Sequence, residues 1–277
     1  MLDYARISKM REYANHPFFD FQKAHYSIEE KFKTKIKKIL SLLPIADLRI
    51  QNDKTLISLR YRGTRGWEYP WVVEQITNKV KVGSKILDAG CGNSLFPCYL
   101  AQLGYDVYGL DYFVEKSKDG YGIDRKHRKK YGRIVKFING DMGKIPFPDN
   151  YFDVVYNISV MEHIVIEGRG DLNLHKKCLS ELKRVLKPSG LLISTYDTFL
   201  DKSVCFGWDF VDDILFLDMK LDMDVNNLKH FREKIIYDED TFYIPPDLFF
   251  YQGYGKGMNI EKNTYYKMTS VGYVLKK

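Results

Sequence analysis

The sequence predicts an α/β fold: a mostly parallel sheet with helices on both faces, an antiparallel closing strand and a helical N-terminal extension. Three observations lead there. From residue 84, short apolar runs alternate with segments of helical periodicity, the pattern of parallel strands joined by helical crossovers. The first run ends in Asp88-Ala89-Gly90-Cys91-Gly92, a glycine-bearing turn between a strand and a helix. The 277 residues, 45% hydrophobic and 29% charged, can bury one large core or two joined ones.

Three segments follow in order. Residues 1–80 read as a helical extension or lid. Within SIEEKFKTKIKKILSLLP, Ser27 and Glu30 form a capping-box pattern, and Phe32, Ile36, Leu40 and Leu43 recur at helical spacing. Lys31, Lys35 and Lys38 fall away from that stripe, and an irregular ISLRYRGTRGWEYP insert comes later. Residues 81–200 form the core, with strands expected at Lys85–Asp88, Val107–Leu110, Ile134–Ile138, Phe152–Asn157 and Gly190–Thr195. The clearest helix there is LHKKCLSELKRVL, with Leu174, Cys178, Leu182 and Val185/Leu186 as its buried face and Lys187-Pro188-Ser189-Gly190 as its stop. Residues 201–277 read as a substrate cap and closing strands, TSVGYVLKK being the last strand.

Composition narrows the partners. Residues 1–85 hold 17 Lys and Arg against 9 Asp and Glu, and the remainder holds 26 against 27, so the net charge of +7 resides in the N-terminal part. A second basic run, DRKHRKKYGR, spans 124–133. Neither basic run carries the interleaved aromatics that stack single-stranded bases; a solvated helix face explains the first, and the second reads as a helix face or loop. No run approaches the roughly 18 apolar residues of a membrane span, and the start MLDYARISKMREY has no signal-peptide core, so the expected location is cytoplasmic. The four cysteines include no C-x-x-C pair, which argues against a zinc ribbon or disulfide framework.

The glycine turn points to a ligand. A dinucleotide fingerprint would place its third glycine at position 95, where Leu95 stands. Asp88, just before the first glycine, would repel a pyrophosphate but suits a ligand bearing an ammonium group. Asp111 closes the next strand, where a carboxylate can pair with a ribose diol. These residues read as a pocket for a nucleoside with a cationic tail and no phosphates.

With these motifs the sequence resembles the class I S-adenosylmethionine-dependent methyltransferases, in particular their small-molecule branch, over roughly residues 80–200. The resemblance implies a Rossmann-like sheet and S-adenosyl-L-methionine as cofactor. Asp88, Gly90 and Gly92 match the family's D-x-G-x-G turn, with Ser94 at a common third-glycine position. Asp111 matches the acid that grips the ribose, and Tyr112 the neighbour that packs on adenine. Asp141 matches the acid that accepts from the adenine amino group, Met142 the backbone amide beside it, and Asn157 a strand-end residue whose backbone meets the cofactor. LKRVLKPSGLLISTYD resembles the helix, turn and fifth strand of the family.

The reaction implied is methyl transfer to an oxygen or nitrogen of a small molecule or glycan precursor. His163 is the candidate general base, with Glu162, Tyr196 and Asp197 behind it. Ser159-Val160-Met161-Glu162-His163 lacks the first carboxylate of the E-x-x-E-H pattern with which related O-methyltransferases hold a divalent ion, so no metal is expected. Arg65, Tyr69 and Trp71 either meet the cofactor's carboxylate or form a packed aromatic anchor. An RNA methyltransferase and a non-enzymatic binding protein on the same fold are the alternatives. The former would lack an N/D-P-P-F/Y segment, since Asn157-Ile158-Ser159-Val160 stands at the fourth strand.

Overall fold

The computed structural model describes residues 1–26, 31, 32, 35, 62–115, 122–167, 172–199, 225–243 and 268–277. Seven strands form one sheet: β1 (Leu2–Tyr4), β2 (Lys85–Ala89), β3 (Asp106–Asp111), β6 (Lys136–Asn139), β7 (Phe152–Ile158), β8 (Leu186–Phe199) and β9 (Met268–Lys276). Their order is β1-β9-β8-β7-β2-β3-β6, and a separate pair joins β4 (Phe113–Val114) to β5 (Ile123–Asp124). β6, β3, β2, β7 and β8 are mutually parallel. β9 runs the other way: Ser189 N donates to Lys277 O at 2.9 Å and Lys277 N to Gly190 O at 3.0 Å. Reciprocal bonds between Met1 and Val274, both 2.9 Å, place β1 antiparallel to β9 in turn. The fold is thus a Rossmann-like, mostly parallel sheet with one antiparallel closing strand.

The chain divides into two compact units, one comprising residues 1–2, 71–196 and 272–277, the other 3–70 and 197–271. In the first, Ile86, Leu87, Val154, Val155, Tyr156 and Ile193 are fully buried. Such continuous burial is what a parallel strand covered on both faces demands. Its helices are α4 (Phe96–Gln102), α5 (Arg125–Tyr131), α6 (Met161–Glu167) and α7 (Leu172–Val185). In the second unit, α1 (Ile7–Glu12), α2 (Pro17–His25) and α8 (Val225–Tyr237) carry the described core. There the Phe18 and Tyr69 rings lie 4.8 Å apart, the Arg62 guanidinium sits 3.6 Å above the Phe19 ring, and Tyr4 donates its hydroxyl to Asp238.

All five expected core strands are present, with ends shifted by a few residues. Ile134 is the clearest shift: it is 53% exposed and precedes β6, which starts at Lys136. Leu174, expected on the buried face of α7, is 37% exposed, whereas Cys178, Leu182 and Val185 are buried. It lies in the first turn, one turn ahead of the packed stripe. Lys187-Pro188-Ser189-Gly190 does more than stop the helix, since β8 already begins at Leu186.

Part of the expected irregular insert is helical: α3 spans Arg65–Lys79 with Pro70 inside it. Pro70, the sixth residue of α3, offers no amide to the Gly66 carbonyl and so removes one hydrogen bond from the second turn. Of the basic N-terminal helix, Lys31 and Lys35 are exposed as expected, but Phe32 is 64% exposed; Ile36, Lys38, Leu40 and Leu43 lie outside the described residues. So does most of the expected substrate cap.

Candidate functional site

Parallel register aligns the carboxyl ends of β2, β3 and β6. Asp88 lies beside Gly109 on β3 and Tyr156 on β7, and Asp111 beside Asn139 on β6. Ligands of open α/β sheets bind at this edge. Asp88 is only 4% exposed, and the Tyr156 hydroxyl donates to its Oδ2 at 2.8 Å. Burial pushes the Asp88 carboxyl up to about 8, against the Tyr156 hydrogen bond, which lowers it, and with help from the nearby Asp111 charge. The tyrosine in turn is raised far above its ordinary range by burial and by Asp88. Among the described residues no cation pairs with Asp88, and an entering cation would favour its charged form.

The turn after β2 is fixed from both sides. Gly90 N donates to Leu110 O at 2.8 Å, and Cys91 N reaches the same carbonyl at 3.2 Å. Gly90 has φ +85°, and a Cβ there would meet Val160 Cγ1 at 2.5 Å. Gly92 has φ +49°, but a Cβ there would meet nothing within 4 Å. The first glycine is required by conformation and packing; the second faces open space where a ligand can approach the backbone. Ser94 Oγ accepts from Phe96 N at 3.1 Å, so the residue at the third-glycine position supports the start of α4.

Asp111 is tied to this turn. Its Oδ2 accepts from Gly92 N at 2.8 Å and its Oδ1 from Tyr112 N at 2.7 Å. Burial raises it, and the two amides lower it. Asn93 and Asp124 exchange two bonds, Asp124 N to Asn93 Oδ1 at 3.0 Å and Asn93 Nδ2 to Asp124 Oδ2 at 3.3 Å. The turn is therefore anchored to β3 and to the start of α5.

Tyr112 is 58% exposed beyond β3, and partial burial together with the Asp141 charge raises its phenol. Asp141 follows β6 and accepts from Gly143 N at 2.7 Å through Oδ1, with Met142 between them half-buried. Asn157, near the end of β7, is fully buried; its Nδ2 donates to Ser194 Oγ at 2.8 Å, and its Oδ1 is buried without a hydrogen-bond partner. His163 is half-buried in the first turn of α6, its N donating to Val160 O at 3.0 Å, three residues after the side chain that closes on Gly90.

Hydrogen bonds thus join Asp88 to Tyr156 and Gly92 to Asp111, and Gly90 N, bonded to Leu110 O, holds the turn against β3. Tyr156 carries no signal in the sequence beyond a polar tip inside an apolar strand, because its partner is 68 residues away. Trp67 and Trp71 are fully buried, and Arg65 pairs with the buried Glu68, so this segment contributes packed anchors.

The core is similar to parts of known methyltransferases. Residues 87–194 match the model of the methyltransferase domain family. A sterol 24-C-methyltransferase of Pneumocystis carinii is 33% identical over 128 residues, which are 44% of this chain and 30% of that protein. A demethylmenaquinone methyltransferase of Paenarthrobacter aurescens is 38% identical over 116 residues, 41% of this chain and 39% of that one. A solved structure of an S-adenosylmethionine-dependent methyltransferase from Aquifex aeolicus covers 74% of this chain and 89% of its own, at 18% identity and a TM-score of 0.41. The chain spans less than half the length of the two curated relatives. Residues 87–194 are therefore similar to known methyltransferase domains.

Proposed function

We propose that this chain is an S-adenosylmethionine-dependent methyltransferase that moves a methyl group to an oxygen or nitrogen of a small molecule, glycan precursors included. The observation that carries the reading is the buried Asp88, pushed up to about 8 beside a glycine turn, with Asp111 and Asp141 following at the ends of β3 and β6. A cationic nucleoside fits these residues: a buried acid with no cation paired to it among the described residues, a second acid at the end of the adjacent strand, and open space over Gly92.

The cofactor supplies a methyl group already activated on a sulfonium. The residues of this chain bind and orient. Asp88 would balance the cationic amino-acid end, and Gly90 and Gly92 would let the backbone approach it. Asp111 would accept from the ribose hydroxyls, and Asp141 from the adenine amino group. The Met142 amide would lie beside that ring, Tyr112 would pack on it, and Asn157 would offer its backbone near the methionine end. His163 would take the proton from an acceptor hydroxyl or amine, a step worth about 10²–10⁴ in rate. The names of the relatives favour an apolar small-molecule acceptor over RNA, and leave carbon as a rival to oxygen and nitrogen.

Transfer of labelled methyl from S-adenosylmethionine to a panel of sterols, quinones, sugars, amines and tRNA tests the activity; incorporation into tRNA alone would overturn the small-molecule reading. Asp88→Ala and Asp111→Ala should each weaken cofactor binding by about 2 kcal/mol, as loss of a charge-assisted contact does. Calorimetry showing wild-type affinity for both would overturn the site. His163→Ala should lower turnover at saturating acceptor while leaving cofactor affinity within about twofold.

A further inference from the structure

The amino ends of the same strands carry a second concavity. A cavity of about 420 Å³ opens where Ser84 precedes β2, where Asp153 and Lys187 begin β7 and β8, where β9 ends at Lys276, and where α3 ends at Lys79 and runs on to Lys81. Four of its lining residues are lysines and one is an acid. That acid is already matched: Asp153 Oδ1 takes Lys187 Nζ at 2.7 Å and its Oδ2 accepts from Lys85 N at 2.9 Å.

Lys79, Lys81 and Lys276 are placed differently. Lys79 donates to the neutral Gln75 side chain, and partial burial pulls its ammonium down against the nearby Glu74 charge, which raises it. Lys81 and Lys276 make no ion pair among the described residues. The rim is rigid, because Lys187 and Lys276 stand on β8 and β9, paired through Ser189, Gly190 and Lys277. Excess cations held around a fixed concavity favour a multiply charged anion over a monocarboxylate, and lysine ammonium groups suit phosphate oxygens as point charges.

We propose that this cavity is a binding site for a phosphorylated small molecule, separate from the cofactor edge. Ser84 stands four residues before Asp88, so the two edges lie about 13 Å apart, and an anion bound here is not the methyl acceptor. A concavity of this size holds a diphosphate-sized group, which favours a soluble ligand over a lipid headgroup on a flat bilayer.

Titration of the full chain with inorganic pyrophosphate by calorimetry, in about 0.15 M salt, provides the test. Saturable binding is expected, weakened about tenfold in the double variant Lys81→Gln/Lys276→Gln and largely retained in Lys81→Arg/Lys276→Arg. S-adenosylhomocysteine affinity should stay unchanged in both variants. The proposal is overturned by absent pyrophosphate binding, by equal binding in the Gln variant, or by a parallel loss of S-adenosylhomocysteine affinity. Binding to phosphatidylglycerol vesicles without binding to pyrophosphate would overturn it equally.

Discussion

Gly90 and Gly92 stand two residues apart in one turn and should respond differently to an added methyl group. Alanine at either position pays for a left-handed conformation, about 1–2 kcal/mol. At Gly90 the methyl also meets two Val160 carbons at 2.5 and 2.8 Å, so Gly90→Ala should lose more stability in urea unfolding, and Val160→Ala should restore part of it. At Gly92 the methyl enters open space, so Gly92→Ala should cost little extra stability while weakening cofactor binding. Equal losses of stability at the two positions would contradict this division.

Asp88 gives a pH dependence with a definite sign. Its carboxyl is raised from 3.8 to about 8, so between those values the folded chain holds a proton that the unfolded chain has released. Stability should therefore fall as pH rises through that window and level off above it. Asp88→Asn should remove this contribution, making the melting temperature of the variant gain on that of the wild type from pH 5 to pH 8. Affinity for a cationic cofactor should move the opposite way in the wild type, rising toward pH 8 as Asp88 ionises. A difference in melting temperature between variant and wild type that is independent of pH would show that Asp88 is already ionised at pH 5.

At the scale of elements, α5 shows how a loop contact fixes a turn. Asp124 caps this helix, its Oδ1 accepting from His127 N at 2.7 Å, while its Oδ2 accepts from Asn93. Asp124→Ala should cost about 1 kcal/mol for the cap alone. Because the backbone bond to Asn93 survives, cofactor affinity should fall by a smaller factor than in Asp111→Ala; calorimetry on the two variants compares them. For the basic run 124–133 the sequence left a helix face and a loop open, and the helix with its Asp124 cap is what the structure shows. β1 was not readable: three residues at a sheet edge are too few to display an alternation, and its pairing lies 273 residues away at Val274.

For the molecule as a whole, legibility followed sequence distance. Asp88, Gly90, Gly92 and Asp111 were readable because a turn and the next strand end carry them within one short stretch of chain. Tyr156 and the partnerless Asn157 Oδ1 emerge only when β7 is laid between β2 and β8. Among the described residues no helix is long and apolar enough to cross a membrane, which matches the absence of an apolar run in the sequence. The roles assigned to residues 201–277 fall mostly outside the described part, and acceptor recognition with them.

The parallel strands also give the core a direction. Asp88, Asp111 and Asp141 crowd the carboxyl ends, while Lys79, Lys81, Lys187 and Lys276 crowd the amino ends. Lys187 is matched by Asp153, and Asp88 holds its proton below about 8. The separation of charge along the strands therefore comes from Asp111 and Asp141 at one end and Lys79, Lys81 and Lys276 at the other, and it grows as Asp88 ionises. A positively charged ligand diffusing nearby is drawn to the glycine-turn pole and a negative one to its opposite, so each species is sorted by sign before it touches a side chain. Such sorting acts over about one Debye length, so the encounter rates of both ligands should fade together as salt is added.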